Sequence, residues 1–405
     1  MGDPTTLKPG VNARAAITND AIYQDHETIK DLVKRKREEW SKGREEFTRP
    51  AYRNLLFERG KQWITWSRAT NSFRPAMVKP GTPTPVTNIF SSTMRAVRSV
   101  FARIEPRLNF APGNPEEPED RAAADVGSRA IHVVEDETAI RVQRQMLAAW
   151  VSLTGIAWLE NGYDPDLMHG TVTIQAEQCP RCQSTQPPGA LACESCQAPG
   201  PLRPMSVTRP RGKQYVDVCS IFEMFFDASV TEWSRQRGYI REKTVSEDEA
   251  KGRWKALAGE IKGHVLGGMD EWYQDALPTL GPAIDSSQTA RMLQQASQRI
   301  GRRVLEQWYW QLPDETYPEG LLAVIVGRTH VGYAGPLPYG ALQADGSRRP
   351  FLPTVCFPQI LVPGTGYAKT VADDVALLQV ERNRAESQIV ATMQRVASPV
   401  WMNPK

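Results

Sequence analysis

Long apolar runs are missing from this sequence. No stretch of its 405 residues approaches the ~18 consecutive apolar side chains that read as a membrane-spanning helix. Residues 1–10 have no apolar centre, which argues against a secretory signal and for a reducing cytoplasm. Histidine is scarce. The five, His26, His132, His169, His264 and His330, are scattered, and none falls in an HExxH or similar ligand spacing. There is no GxxxxGK[ST] loop to cradle nucleotide phosphates and no GxSxG elbow to present a serine nucleophile. Asp164, Asp166 and Asp227 are the carboxylates from which an acidic metal site would have to be built. Each has a local explanation: two flank Pro165 in a turn, and the third closes the aromatic run 222–226. These absences read against an enzyme.

An excess of one charge sign is also missing. Lys and Arg number 49 against 46 Asp and Glu, a net charge of +3. A protein that grips duplex DNA shows a concentrated basic face. Here the densest run, Lys34, Arg35, Lys36 and Arg37, is followed at once by Glu38 and Glu39, as on a solvated helix face. Tight DNA binding is not supported. Looser contact with DNA that slides past is compatible with this balance.

What is present suits a globular α+β chain of two or three domains, with 40% hydrophobic and 23% charged residues. Residues 1–20 read as a flexible arm. Ile22, Ile29, Val33, Trp40 and Phe47 recur near heptad spacing in a helix over 21–59. A Pro-rich loop is expected over 71–87. Asn88 then caps a helix over 89–104 that carries Ile89, Met94, Val97, Val100 and Phe101. A long helix is expected over 120–152. Strands over 156–163 and 170–175 alternate in polarity around the turn Asp164-Pro165-Asp166 and would form a hairpin with the insertion at 176–210 cut out. Further strands fall at 214–221, 304–310 and 321–331, and helices at 247–261 and 287–301. Residues 336–363 read as loop. A final helix over 370–397 holds Val371, Val375, Leu378, Ala385, Ile389 and Val396 in a nearly seven-residue pattern. Trp63, Trp66, Trp308 and Trp310 suit core packing, and large aromatics also suit subunit interfaces.

The most specific signal is Cys179-Pro-Arg-Cys182 followed, ten residues on, by Cys193-Glu-Ser-Cys196. Two residues between paired thiolates let both reach one tetrahedral zinc ion at about 2.3 Å. Four sulfurs close the coordination shell, so the expected site is structural. The surrounding 176–210 is poor in apolar residues and needs the metal to fold. Arg181, Arg203, Arg209 and Arg211 lend it some basic character, though a structural or protein-contact role outweighs a nucleic-acid one. Cys219 and Cys356 read as buried thiols.

Read in order, several short pieces resemble the portal proteins of tailed bacteriophages. They are Phe57-Glu-Arg-Gly-Lys-Gln-Trp63, Pro85-Val-Thr-Asn88-Ile89-Phe90, Arg103-Ile-Glu-Pro106, and Ala122 to Ala124 with Asp125. Thr154-Gly155-Ile-Ala-Trp158, Tyr163-Asp164-Pro165, Ile221-Phe-Glu-Met-Phe-Phe-Asp227 and Glu306-Gln-Trp-Tyr-Trp310 follow. A strand begun by Gly320, the Pro-rich 351–363, and Leu378-Gln379 with Glu381 and Asn383 complete the series. No piece is diagnostic; their order across 50–398 carries the resemblance.

The resemblance implies a mainly helical portal fold with a small α/β clip. The four-cysteine zinc-ribbon insertion at 176–210 is additional, and is not a general portal feature. The resemblance implies a wing over 21–240, a lead-in and first stem helix over 241–302, the clip over 303–362 and a second stem helix over 363–398. Residues 399–405 would begin a continuation into tunnel loop, further wing and crown. It implies a homo-oligomeric ring, commonly of twelve subunits, through which double-stranded DNA is packaged and ejected. The ring would sit at a capsid vertex of the virion, having assembled in the host cytoplasm. Its partners would be the terminase packaging motor, capsid and scaffold proteins, and head–tail connector proteins. The apolar stripe of the last helix would then face neighbouring subunits, and Asp373, Asp374, Glu381, Arg384 and Gln388 the channel or solvent. Two rival readings are a zinc-ribbon nucleic-acid-binding accessory protein and an enzyme using Asp164, Asp166 and Asp227.

Overall fold

The computed structural model describes residues 20–68, 72–103, 110–164, 171–182, 185–186, 196, 203–210, 212–263, 303–342 and 348–397. They form helices and strands in two compact units. The larger comprises residues 17–108, 140–160 and 217–405; the smaller comprises 1–16, 109–139 and 161–216. The expected arm (1–19 of it) and the helix over 287–301 lie outside the described residues, as does residue 104 at the end of the Asn88-capped helix.

The first expected helix is three: α1 (Asp20–Gln24), α2 (His26–Ser41) and α3 (Glu45–Glu58). Asp25 caps α2 by accepting from the Thr28 amide at 3.2 Å. The break falls at Gly43, whose φ of +72° is a left-handed conformation that glycine adopts without strain. A hairpin of β1 (Ile64–Ser67) and β2 (Ser72–Pro75) takes the start of the expected Pro-rich loop, which begins in earnest at residue 76. Asn88 caps α4 (Ile89–Arg103): its Oδ1 accepts from the Ser91 amide at 2.9 Å. The helix expected over 120–152 is divided into α5 (Pro118–Glu137) and α6 (Ile140–Thr154). Ala139, at φ +49°, cannot continue a right-handed helix.

The strands β3 (Ile156–Asp164), β4 (Thr171–Gln178), β5 (Thr185–Gln186), β6 (Arg203–Pro210), β7 (Lys213–Ser220), β8 (Met224–Phe226) and β9 (Gly238–Ser246) follow. The expected β3–β4 hairpin is replaced by other pairings. β3 pairs through residues 156–160 with β15 (Thr354–Pro358) and neighbours β7, whereas β4 pairs along its whole length with β6. Polarity explains the choice. Ile156, Ala157 and Trp158 are fully buried and need apolar neighbours, while Thr173 and Gln175 stay exposed opposite Thr208 and Ser206. The helix expected over 247–261 is only α7 (Glu247–Arg253) and a single 3-10 turn.

The strand at 304–310 is present as β10 (Arg303–Gln311). The one expected over 321–331 is two, β11 (Leu321–Val326) and β12 (His330–Gly335), reversed at Gly327 and Arg328, both at positive φ. The stretch expected as loop, 336–363, contains β13 (Gly340–Leu342), β14 (Arg348–Pro350), β15 and β16 (Ile360–Leu361). After β17 (Ala368–Lys369) the last helix, α8 (Val371–Ala397), matches its expected extent.

In the larger unit, the antiparallel sheet β12-β11-β10-β9-β8 is the first core. Leu321, Ala323 and Ile325 of β11, Tyr309 of β10 and Ile240 of β9 meet Ile29, Val33 and Trp40 of α2. Trp158, Phe226, Trp233 and Tyr239 pack ring against ring, and Trp310 stacks on Tyr239. A second core joins α3, α4, α6 and α8 through Phe57, Phe90, Met94, Leu153, Ala372 and Ala376. Gly155 (φ +83°) turns α6 into β3, and a Cβ there would lie 2.7 Å from the Ala368 carbonyl oxygen. Only glycine meets both demands.

Among its described residues the smaller unit has little such burial. No residue of α5 is fully buried. Tyr215 lies over Gly162 and Tyr163 over Gly212, each ring filling the place a side chain would take. No described helix is long and apolar enough to cross a membrane.

Candidate functional site

The cysteines stand at the end of the β4–β6 ribbon in the smaller unit. Eight residue pairs, from Thr171 with Pro210 to Gln178 with Arg203, hold the two strands in register. β5 folds back onto Glu177 and Gln178. Cys179 follows β4 directly, so the strand's end fixes the first ligand. The sulfurs of Cys179, Cys182 and Cys196 lie within 4.8 Å of one another, and those of Cys179 and Cys196 are 3.6 Å apart. Sulfurs about 2.3 Å from a common tetrahedral ion are separated by just under 4 Å, so the donor set fits a thiolate-bound metal ion. Cys193 lies outside the described residues. Cys179 is buried, Cys196 half-buried and Cys182 exposed. Arg181 and Arg203 are exposed, and Arg211 lies outside the described residues.

The other two cysteines are apart from this cluster. Cys219 is fully buried and burial raises its thiol; Cys356 is half-buried and pushed up by burial to about 12. Of the three aspartates, Asp227 accepts from the Ser229 amide and hydroxyl at 2.9 and 2.6 Å, a local turn. Asp164 ends β3 and Asp166 lies outside the described residues. Among the described residues only the cysteines group as metal ligands.

The motif residues at 62, 88, 379 and 383, more than 300 positions apart at the extremes, come together in one buried cluster of amides. Asn383 Nδ2 donates to Gln62 Oε1 at 2.7 Å, and Gln379 Nε2 donates to Asn383 Oδ1 at 2.8 Å and to the Thr87 carbonyl at 2.9 Å. Gln379 Oε1 accepts from the Phe90 amide at 3.0 Å, and Gln62 Nε2 donates to Asn88 Oδ1 at 2.9 Å. Asn88 Nδ2 donates to the Phe57 and Glu58 carbonyls, both at 3.1 Å. Ser387 donates to the Pro83 carbonyl at 2.6 Å, and Trp63 Nε1 to that of Pro85 at 3.1 Å. Every amide of the four is engaged, so the network fixes the position of α8 against α3 and α4.

That fixes which face of α8 is left over. Ala372, Ala376, Gln379, Asn383 and Ser387 are buried. The stripe read from the sequence lies on another face: Leu378, Ile389 and Val396 are 71%, 55% and 72% exposed. Val371 and Ala385 are exposed too, and Val375 packs partly against the helical core. Asp374, Glu381, Arg384 and Gln388 are exposed, with Glu381 and Arg384 paired at 2.6 Å. Asp373 differs from them. It accepts from Arg53 at 3.1 Å and Asn54 at 2.9 Å, so its carboxylate is committed within the chain.

Sequence reasoning missed the buried charges. Arg241, Glu242 and Glu306 are buried inside the five-stranded sheet. Glu242 accepts from Arg37 and Gln307, and Glu306 from Arg253 and Trp254. The signal available was Arg-Glu-Lys in mid-strand, a charged run that a strand paired on both edges must satisfy internally. A groove of about 690 Å³ along α2 is lined by Arg35, Lys36 and Arg237 together with Asp31, Asp227 and Asp314, and so favours neither charge sign. No family model matches the chain, and no curated protein matches it.

Proposed function

We propose that the chain is a subunit of a portal-type ring, a passive conduit for double-stranded DNA at a capsid vertex of a virion, with a structural zinc ion on Cys179, Cys182, Cys193 and Cys196. The observation that carries the reading is the amide cluster. The short pieces on which the resemblance rests are dispersed in sequence, yet Gln62, Asn88, Gln379 and Asn383 form one satisfied network. Two further observations support it. The network turns an apolar stripe of the long helix α8 outward, as a subunit interface requires. The near-neutral net charge suits a channel through which DNA must move, since phosphate contacts add affinity and slow escape.

In this reading Val371, Leu378, Ala385, Ile389 and Val396 pack on neighbouring subunits, Val375 being partly taken up by the chain's own helical core, and Asp374, Glu381, Arg384 and Gln388 face the channel or solvent. The chain performs no catalysis. The energy for packaging comes from a terminase motor docked on the ring, and capsid, scaffold and head–tail connector proteins are its other partners. Electron microscopy of the purified protein tests the assembly: closed rings are expected, and a monomer or dimer with salt-dependent DNA affinity would favour a zinc-ribbon accessory protein instead. Metal analysis tests the ion: about one zinc per chain is expected, and six free thiols without zinc would refute it.

A further inference from the structure

α5 runs for 20 residues and none of them is buried. A helix of that length owes most of its stability in water to an amphipathic face packed on something else. α5 has such a face. Ala122, Val126, Ala130 and Val133 follow at steps of four, four and three, so they share one stripe. All four are exposed, Val126 and Val133 at 66% and 56%. Phe110 leans on the helix at Gly127, on a different flank. Asp125 and Asp136, both exposed, run beside the stripe about three turns apart. Six residues of α5 are acids and two are arginines.

α4 and α6 have the opposite character. Together they hold five arginines and no acid. Arg98 is committed to Glu58 at 2.7 Å, while Arg95 and Arg141 are exposed. Phe90, Met94 and Leu153 turn inward to the helical core. Val100 and Phe101 of α4, and Val142 and Met146 of α6, stay in solvent. One helix of this chain is therefore acidic and apolar on what it exposes, and two others are basic and apolar.

We propose that α5 of one copy docks on α4 and α6 of a second copy, its stripe on their exposed apolar residues and Asp125 and Asp136 toward Arg95 and Arg141. Charge complementarity selects this occupant. Nucleic acid would meet the arginines but not the apolar side chains among them, and an anionic lipid surface would repel α5. A second copy covers both surfaces at once. The contact joins two different surfaces, so it is head-to-tail: it closes a ring where the rotation between copies closes, and otherwise extends a filament. It deepens the ring reading, and rests on it only for closure.

The test is sedimentation of the full chain at low salt with two charge-reversed variants. One carries Asp125→Arg with Asp136→Arg on α5, the other Arg95→Glu with Arg141→Glu on α4 and α6. Each alone sets like charges against each other and should weaken association by about a hundredfold. An equimolar mixture restores opposite charges at every contact and should associate as the wild type does, which also shows that both variants are folded. Should a reversed variant not fold, Val126→Ser with Val133→Ser takes its place, with association weakened by about tenfold. Unchanged association of a folded variant, or no recovery on mixing folded variants, would overturn the proposal. So would Arg95→Glu with Arg141→Glu losing affinity for duplex DNA while associating normally, which would give that face to nucleic acid. The two readings fail separately. Open filaments that pass the mixing test would keep this contact and sink the closed ring, and rings that survive both reversals would do the opposite.

Discussion

The β4–β6 ribbon and the five-stranded sheet are both antiparallel β-structure, yet they are stabilised in different ways. Every residue of β11 is buried, and its sheet packs an apolar face on α2. The ribbon keeps Thr173, Gln175, Ser206 and Thr208 in solvent. The ribbon, with only the short β5 added to β4 and β6, removes little apolar surface from water and ends on a cluster of thiols, whereas the sheet depends on area removed from water. The comparison teaches that composition near the cysteines already set this segment apart from one that folds by apolar burial.

The comparison is broken most severely by attacking burial. Trp158→Ala removes a fully buried ring that packs on Phe226 and Trp233. It should cost about 3–5 kcal/mol in urea unfolding. Stability within about 1 kcal/mol of wild type would mean that the aromatic core does not hold the larger unit. Next comes Asn383→Leu, which takes the Asn383 donor from Gln62 Oε1 and leaves Gln379 Nε2 with the Thr87 carbonyl alone. About 1–3 kcal/mol should be lost, with greater hydrogen exchange at α8.

Replacing Cys179 and Cys182 by Ser sharpens the comparison from the other side. Metal content should fall to zero and the β4–β6 amides should exchange freely, while unfolding of the larger unit stays within about 0.5 kcal/mol. Broad loss of helical signal would show that the metal supports more than the ribbon. The smallest effect on chain stability belongs to Leu378→Asp, since that side chain is 71% exposed. The change should be about 0.5 kcal/mol or less for the single chain, while association measured by sedimentation should be lost. Glu381→Gln should leave association intact; the reverse pattern would place the interface on another face of α8.

The sequence alone determined whatever depends on a few neighbouring residues. Asn88 capped α4, the paired cysteine spacing marked thiols that come close enough to hold a metal ion, alternation located β10, and periodicity gave the extent of α8. The resemblance drew attention to Gln62, Asn88, Gln379 and Asn383 but not to their meeting. Tertiary structure decided what depends on distant partners. It broke the 120–152 helix at Ala139, gave β3 to β15 instead of β4, and buried the polar Gln379 and Asn383. It also gathered Glu160, Asp217 and Glu223 around Arg241. Caps, turns and periodicities are short-range energies written in adjacent residues. The choice of strand partner and the cost of a buried charge depend on groups far along the chain, and those become neighbours only once it has folded.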